Sequence, residues 1–244
     1  MKILSWCIAA FILMGAACPT YIAPLPPPLK APVFTNKKVT WCHQVGTFRE
    51  VIDLTWQKPS TDSIGISQYT LLRKAGNETA YSLVMREIPD SITNYQDPIE
   101  NFGFPTPASE SQFKMVWYRI FTVDTLGRSG DTSVPCSLTL AIQPILIQPL
   151  DTLNTNQFSW QVWGYMIMGS YTTTFAFADS TRILWEAPAT AESFLGESGH
   201  DDLQQALPDS LWPLARGRYF WSVKLDITGG NNPQSIIVGS CDVP

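Results

Sequence analysis

Tyr118-Arg-Ile-Phe-Thr-Val-Asp-Thr-Leu-Gly-Arg-Ser-Gly-Asp-Thr-Ser133 is the stretch whose reading decides the fold. Tyr118, Ile120 and Thr122 alternate with Arg119, Phe121 and Val123, and the run breaks at Asp124-Thr-Leu-Gly127. Apolar residues every second position put one face of a strand inward, and the Asp-to-Gly segment has turn chemistry. Upstream, Phe48–Trp56 (FREVIDLTW) places Ile52, Leu54 and Trp56 on one face and Val51, Asp53 and Thr55 on the other. Ile66–Lys74 (ISQYTLLRK) alternates through Tyr69, Leu71 and Arg73. Short period-two strands separated by Gly, Pro, Asp and Ser predict an all-β sandwich.

A second block repeats the pattern. Asn156–Gly164 (NQFSWQVWG), Ser170–Asp179 (SYTTTFAFAD) and Thr181–Ala187 (TRILWEA) read as strands. In Leu214–Asp226 (LARGRYFWSVKLD), Tyr219, Trp221, Val223 and Leu225 are expected inward, with Phe220, Ser222, Lys224 and Asp226 outward. Ser235–Val243 (SIIVGSCDV) is the last strand, and Ile142-Gln-Pro144 the joint between the blocks, because proline cannot donate to a sheet ladder. The segment 187–216, acidic at its centre, is either a short helix capped by Ser198, with Asp201 and Asp202 near its start, or a strand through Leu203–Leu207.

The runs Leu54–Lys74 (LTWQKPSTDSIGISQYTLLRK), Thr93–Pro98 (TNYQDP) and Tyr118–Ser133 together resemble a fibronectin type III domain. The matching positions are Trp56, Pro59, Tyr69, Tyr118, Ile120, Asp124, Gly127 and Ser129; Thr122 stands where alanine is commoner in that family. The resemblance implies two tandem immunoglobulin-like or fibronectin type III β-sandwiches, spanning 35–142 and, in a more divergent form, 143–244. This sandwich hosts many unrelated roles, so it fixes fold and not function.

The first residues bear on address. Lys2 precedes an apolar run, Ile3–Met14, that is shorter than the roughly 20 residues a spanning helix needs. Gly15, Ala16 and Ala17 then give a secretory-signal layout over 1–17. Gly-Ala-Ala-Cys18 resembles the lipobox of bacterial lipoproteins, although Gly15 stands where leucine is usual. On that resemblance Cys18 carries the lipid; the alternative is ordinary cleavage near Ala17. Six prolines from Pro19 to Pro32, both included, make 18–34 a linker that extends rather than packs. The localisation implied is export, with a lipid anchor in the bacterial cell envelope, or otherwise a periplasmic or secreted protein.

The formal net charge of −5 becomes −6 once 1–17, holding only Lys2 among charged residues, is removed. The longest basic run is Lys37-Lys38, too little to neutralise a phosphate backbone, so nucleic acid is not an expected partner. Cys42 and Cys136 are read either as a disulfide within the first sandwich or as two separate thiols, and Cys241 as the odd cysteine. A head-to-tail tandem would keep Cys136 and Cys241 apart.

His200, Asp201 and Asp202 lack the further spaced ligands of a zinc site, and the two acids are adjacent rather than facing across a cleft. No metal, cofactor or catalytic residue is expected, and the chain is read as a non-enzyme. Asn77-Glu-Thr79 is a glycosylation sequon that matters only in a eukaryotic secretory pathway. Binding is expected of aromatics outside the core: Trp163 and Trp212 in the second block, and Trp117 with Phe121 on the outward face of the first. Trp160 and Trp221 follow strand alternation as core. The function expected is a non-catalytic, membrane-anchored lipoprotein for adhesion, scaffolding or protein binding. The alternative is a carbohydrate-binding module using second-domain tryptophans.

Overall fold

The computed structural model describes residues 29–44, 47–60, 65–106, 113–163, 171–189, 200–228 and 232–244. The expected signal 1–17, with Cys18 and most of the linker, lies outside them. The described residues are strands, turns and a single 3-10 turn, Ile99–Asn101, so the fold is all-β.

The first sandwich pairs β1 (Val33–Gln44), β2 (Thr47–Gln57) and β5 (Asn94–Pro98) in one sheet. Facing them are β4 (Ser82–Pro89), β3 (Ile66–Ala75), β6 (Phe113–Asp124) and β8 (Cys136–Ala141), with β7 (Ser129–Thr132) beside β6. In the second, β13 (His200–Ala206), β10 (Gln157–Trp163) and β9 (Ile145–Gln148) face β12 (Ile183–Ala189), β11 (Tyr171–Ala178), β14 (Gly217–Ile227) and β15 (Gln234–Val243). Both therefore have a three-strand layer on a four-strand layer in the same chain order.

Alternation builds each core. Ile52, Leu54 and Trp56 are buried against Tyr69, Tyr118 and Ile120, and the Trp56 and Tyr69 rings meet edge-on at 5.5 Å. Phe158 lies among Phe175, Phe177 and Trp221, at 4.9, 5.5 and 5.2 Å between ring centroids. Such pairs add about 0.5–1.5 kcal/mol beyond area burial. Asp124 closes the turn read from the sequence: its Oδ1 accepts from the Leu126 and Arg128 N–H groups, and Gly127 takes φ +78°. Burial raises its carboxyl, but the Arg128 and Leu126 donors outweigh this and hold it below the usual range.

Three expectations change. The 187–216 segment supplies a strand: β13 pairs with β10 from Gln157↔Ala206 to Trp163↔His200, and the helix alternative falls. Asp201 and Asp202 consequently point to opposite faces, one accepting from Tyr171 Oη at 2.5 Å and the other from Gln161 Nε2 at 2.9 Å. The Cys42–Cys136 disulfide is not formed; both are free thiols. Cys42 lies opposite Arg49, whereas Cys136 sits near Lys37, five residues back along β1 and roughly 17 Å away at strand rise.

The third change concerns the outward face of β14. Phe220 and Ser222 have the outward parity expected of them, yet both are buried. The long β1–β2 hairpin reaches past its own sandwich, and Phe48 meets Phe220 at 5.1 Å. Beside it β15 joins β8 in parallel through Gln234↔Leu140, so the two four-strand layers form one hydrogen-bonded path. In this register Cys136 lies four residues before Leu140 and Cys241 seven after Gln234, so the two cysteines are far apart along adjacent strands.

Candidate functional site

The outward face of β4, β3 and β6 gathers the site. Neighbouring antiparallel strands bring directly opposed residues within contact. Register sets Lys74 beside Trp117, and Leu72 beside both Arg119 and Leu83. Trp117, Arg119 and Phe121 share one parity on β6 and are half-buried, while Leu83 and Met85 on β4 are exposed at 47% and 42%.

Rings and cations interleave on this face. Lys74 Nζ sits 4.6 Å from the Trp117 ring centre and 5.8 Å from that of Tyr81. Arg119 Cζ lies 4.9 Å from the same Tyr81 ring. The ring quadrupole attracts each cation by about 0.5–2 kcal/mol, so the aromatic faces are covered by charge. The Arg119 Nε is buried without a hydrogen-bond partner.

Beneath this face a buried triad ties the layers together. Arg73 Nη1 donates to both oxygens of Asp97, at 2.9 and 2.7 Å, and Tyr118 Oη donates to Asp97 Oδ2 at 2.6 Å. Burial first, and then the Asp97 carboxylate, push the Tyr118 phenol well above its ordinary range. Arg73 also lies over the Phe102 ring at 4.4 Å. In the second sandwich the Tyr171–Asp201 bond makes the equivalent tie between layers.

Of the expected second-domain residues, only Trp212 has a described side chain. Trp212 is half-buried against the second core. Trp163 ends β10 opposite His200, and its side chain lies outside the described residues, as does that of His200. Trp160 and Trp221 are fully buried, and Trp185 packs on Phe175 at 5.7 Å. Among the described tryptophans none is fully exposed.

A groove of about 560 Å³ opens between Ala31–Lys37 and Ser133–Cys136, at the side where the two layers of the first sandwich part. Burial raises the Cys136 thiol more than nearby Lys37 lowers it, so it stays protonated and weakly nucleophilic. No group of metal-ligating side chains occurs among the described residues.

Reading the sequence alone placed Trp117 and Phe121 on the outward face, where they lie, but did not single out Lys74, Tyr81 and Arg119 beside them. The signal was the outward parity of Lys74 and Arg119, and it becomes legible only with the β3–β6 register.

No family model and no curated protein matches the chain. Among solved structures it is similar to the chicken CNTN1 FN1–FN3 domains, at 16% identity and TM-score 0.35, covering 88% of this chain and 67% of that one. It is also similar to the chicken interferon gamma receptor alpha chain, at 14% identity and TM-score 0.27, covering 86% and 98% respectively.

Proposed function

We propose that the chain is an exported binding protein, held at a bacterial envelope membrane by lipid on Cys18 and lifted from it by the proline-rich 18–34 linker. Its work is non-catalytic: the paired sandwiches present a surface to another protein, in adhesion or scaffolding. The observation that carries the reading is the outward face of β4, β3 and β6. There exposed Leu83 lies across Leu72 from Arg119 on the face that carries half-buried Trp117 and Phe121, with exposed Met85 further along β4, and large apolar patches mark interaction sites. The strand pairing of the two sandwiches supports a presenting role, since a braced pair holds its faces in fixed relation.

The test uses the full-length chain expressed in a Gram-negative bacterium. Wild type is expected in the membrane fraction and Cys18→Ala in the soluble periplasm; equal partition of the two removes the anchor. A photo-cross-linking amino acid replacing Leu83 should yield discrete protein adducts, whereas one replacing exposed Thr172 should not. Absence of adducts from every exposed position sampled would remove the binding role.

A further inference from the structure

We propose that the β4–β3–β6 face is a docking site for a carboxylate-rich segment of a partner protein, its acids seated on Lys74 and Arg119 and its apolar side chains on Leu83 and Met85. This rests on the binding role given above and names the chemistry of the partner.

Charge is the first reason. The chain carries 21 acidic against 16 basic residues, yet two cations converge on the single Tyr81 ring. The ion pairs among the described residues employ Arg49, Lys58, Arg73, Arg128, Arg218 and Lys224. Lys74 and Arg119 have rings where those six have carboxylates. Glu78, in the same hairpin, commits an oxygen to the Ala75 N–H. Two like charges held together by aromatic rings repel each other, and an incoming carboxylate relieves that repulsion.

Shape and neighbours narrow the partner further. Sugars need open ring faces, and here Trp117 and Tyr81 are occupied by cations. Nucleic acid would require a longer basic track than two cations provide. Leu83 and Met85 supply the apolar surface that a peptide side chain, unlike a simple anion, would cover. Docking is on the face rather than along the free edge of β4. The β3–β4 register slips twice, Glu87 has φ +57°, and Pro89 ends the strand, all of which spoil an edge for adding another strand.

The test titrates the full-length chain into a labelled peptide alternating Glu with Val and Leu, and separately into its Lys-for-Glu counterpart, by fluorescence anisotropy. The acidic peptide should bind and weaken steeply with salt, and the lysine peptide should not. Lys74→Gln and Arg119→Gln should each weaken binding about tenfold, with Arg119→Lys staying within about threefold of wild type. The Lys74→Glu/Arg119→Glu double variant should reverse the preference between peptides. Should a charge variant fail to fold, exposed Leu83→Asp and Met85→Asp carry the test, each expected to lower affinity for the acidic peptide. Equal binding of both peptides, no binding of the acidic one at millimolar concentration, or affinity untouched by these substitutions overturns the proposal. Cellular adducts at Leu83 without peptide affinity would refute the acidic partner and leave the binding role standing; loss of both removes both.

Discussion

Asp97 is fully buried and its carboxylate accepts three hydrogen bonds, two from Arg73 and one from Tyr118, across the gap between the layers. Removing one partner of a buried ion pair leaves the other charge uncompensated, at a cost of about 3–5 kcal/mol. Asp97→Ala should therefore lose that much in urea unfolding, and Tyr118→Phe only about 1–2 kcal/mol. A loss below about 1 kcal/mol for Asp97→Ala would show that the triad adds nothing to stability. Cys241 gives a pH-dependent case. Burial, helped by Asp242, pushes its thiol up to about 12 from 9.0. Above pH 9 the unfolded chain releases this proton and the folded chain keeps it, so stability falls as pH rises from 9 towards 12, by about 1.4 kcal/mol per unit. Cys241→Ala should make the alkaline slope shallower in denaturation series run from pH 8 upward, the raised Tyr118 and Cys136 supplying what remains. Inward parity at Tyr118 was legible in the sequence. Its need for a buried acceptor follows from the phenol, but nothing local shows that Asp97 supplies it.

At the scale of elements, strand periodicity was the strongest guide, and its one open choice shows where it stops. His200–Ala206 has Ser198 upstream to cap a helix and acids suited to its first turn, yet it forms β13. Asp201, Leu203 and Gln205 are partly covered while Asp202, Gln204 and Ala206 are exposed, a period of two. An isolated helix of this length is marginal in water, and pairing with β10 satisfies the backbone instead. Close packing within the second sandwich makes a sharper prediction. On β15, a Cβ at Gly239 would lie 2.6 Å from Leu146 Cδ1 and 3.1 Å from Trp221 Nε1. Leu146 is half-buried and can turn aside, but the fully buried Trp221 cannot. Gly239→Ala should cost about 1–3 kcal/mol by overpacking, read as a lowered melting temperature, and Gly239→Val more. A melting temperature equal to wild type would mean that β9 and β15 are not held this closely.

At the scale of the whole molecule, the joint between sandwiches was marked in the sequence by Ile142-Gln-Pro144, but the contacts that brace it were not. Val39 N–H donates to Gln234 Oε1, and Val238 N–H to Glu50 Oε1, across 195 and 188 positions of chain. Alternation assigns a face to each of these residues and says nothing about which distant face covers it. Ser235 Oγ also donates to the Ile142 carbonyl at 2.9 Å, and Phe48, packed between Trp41 and Phe220, seals the hairpin tip. Ile236, from the second block, even belongs to the first core. Two units sharing this much buried contact should unfold as one. Calorimetry of wild type should give a single transition whose calorimetric and van't Hoff enthalpies agree. Phe48→Ala removes the ring that spans the units, and Gln234→Ala removes the bond to Val39; together they should split the transition in two. Small-angle scattering of that double variant should show a wider spread of overall dimensions, because the hinge at Ile142–Pro144 is then unbraced. Two transitions already present in wild type, or one undivided transition in the double variant, would mean that the hairpin merely touches the second sandwich and does not hold it.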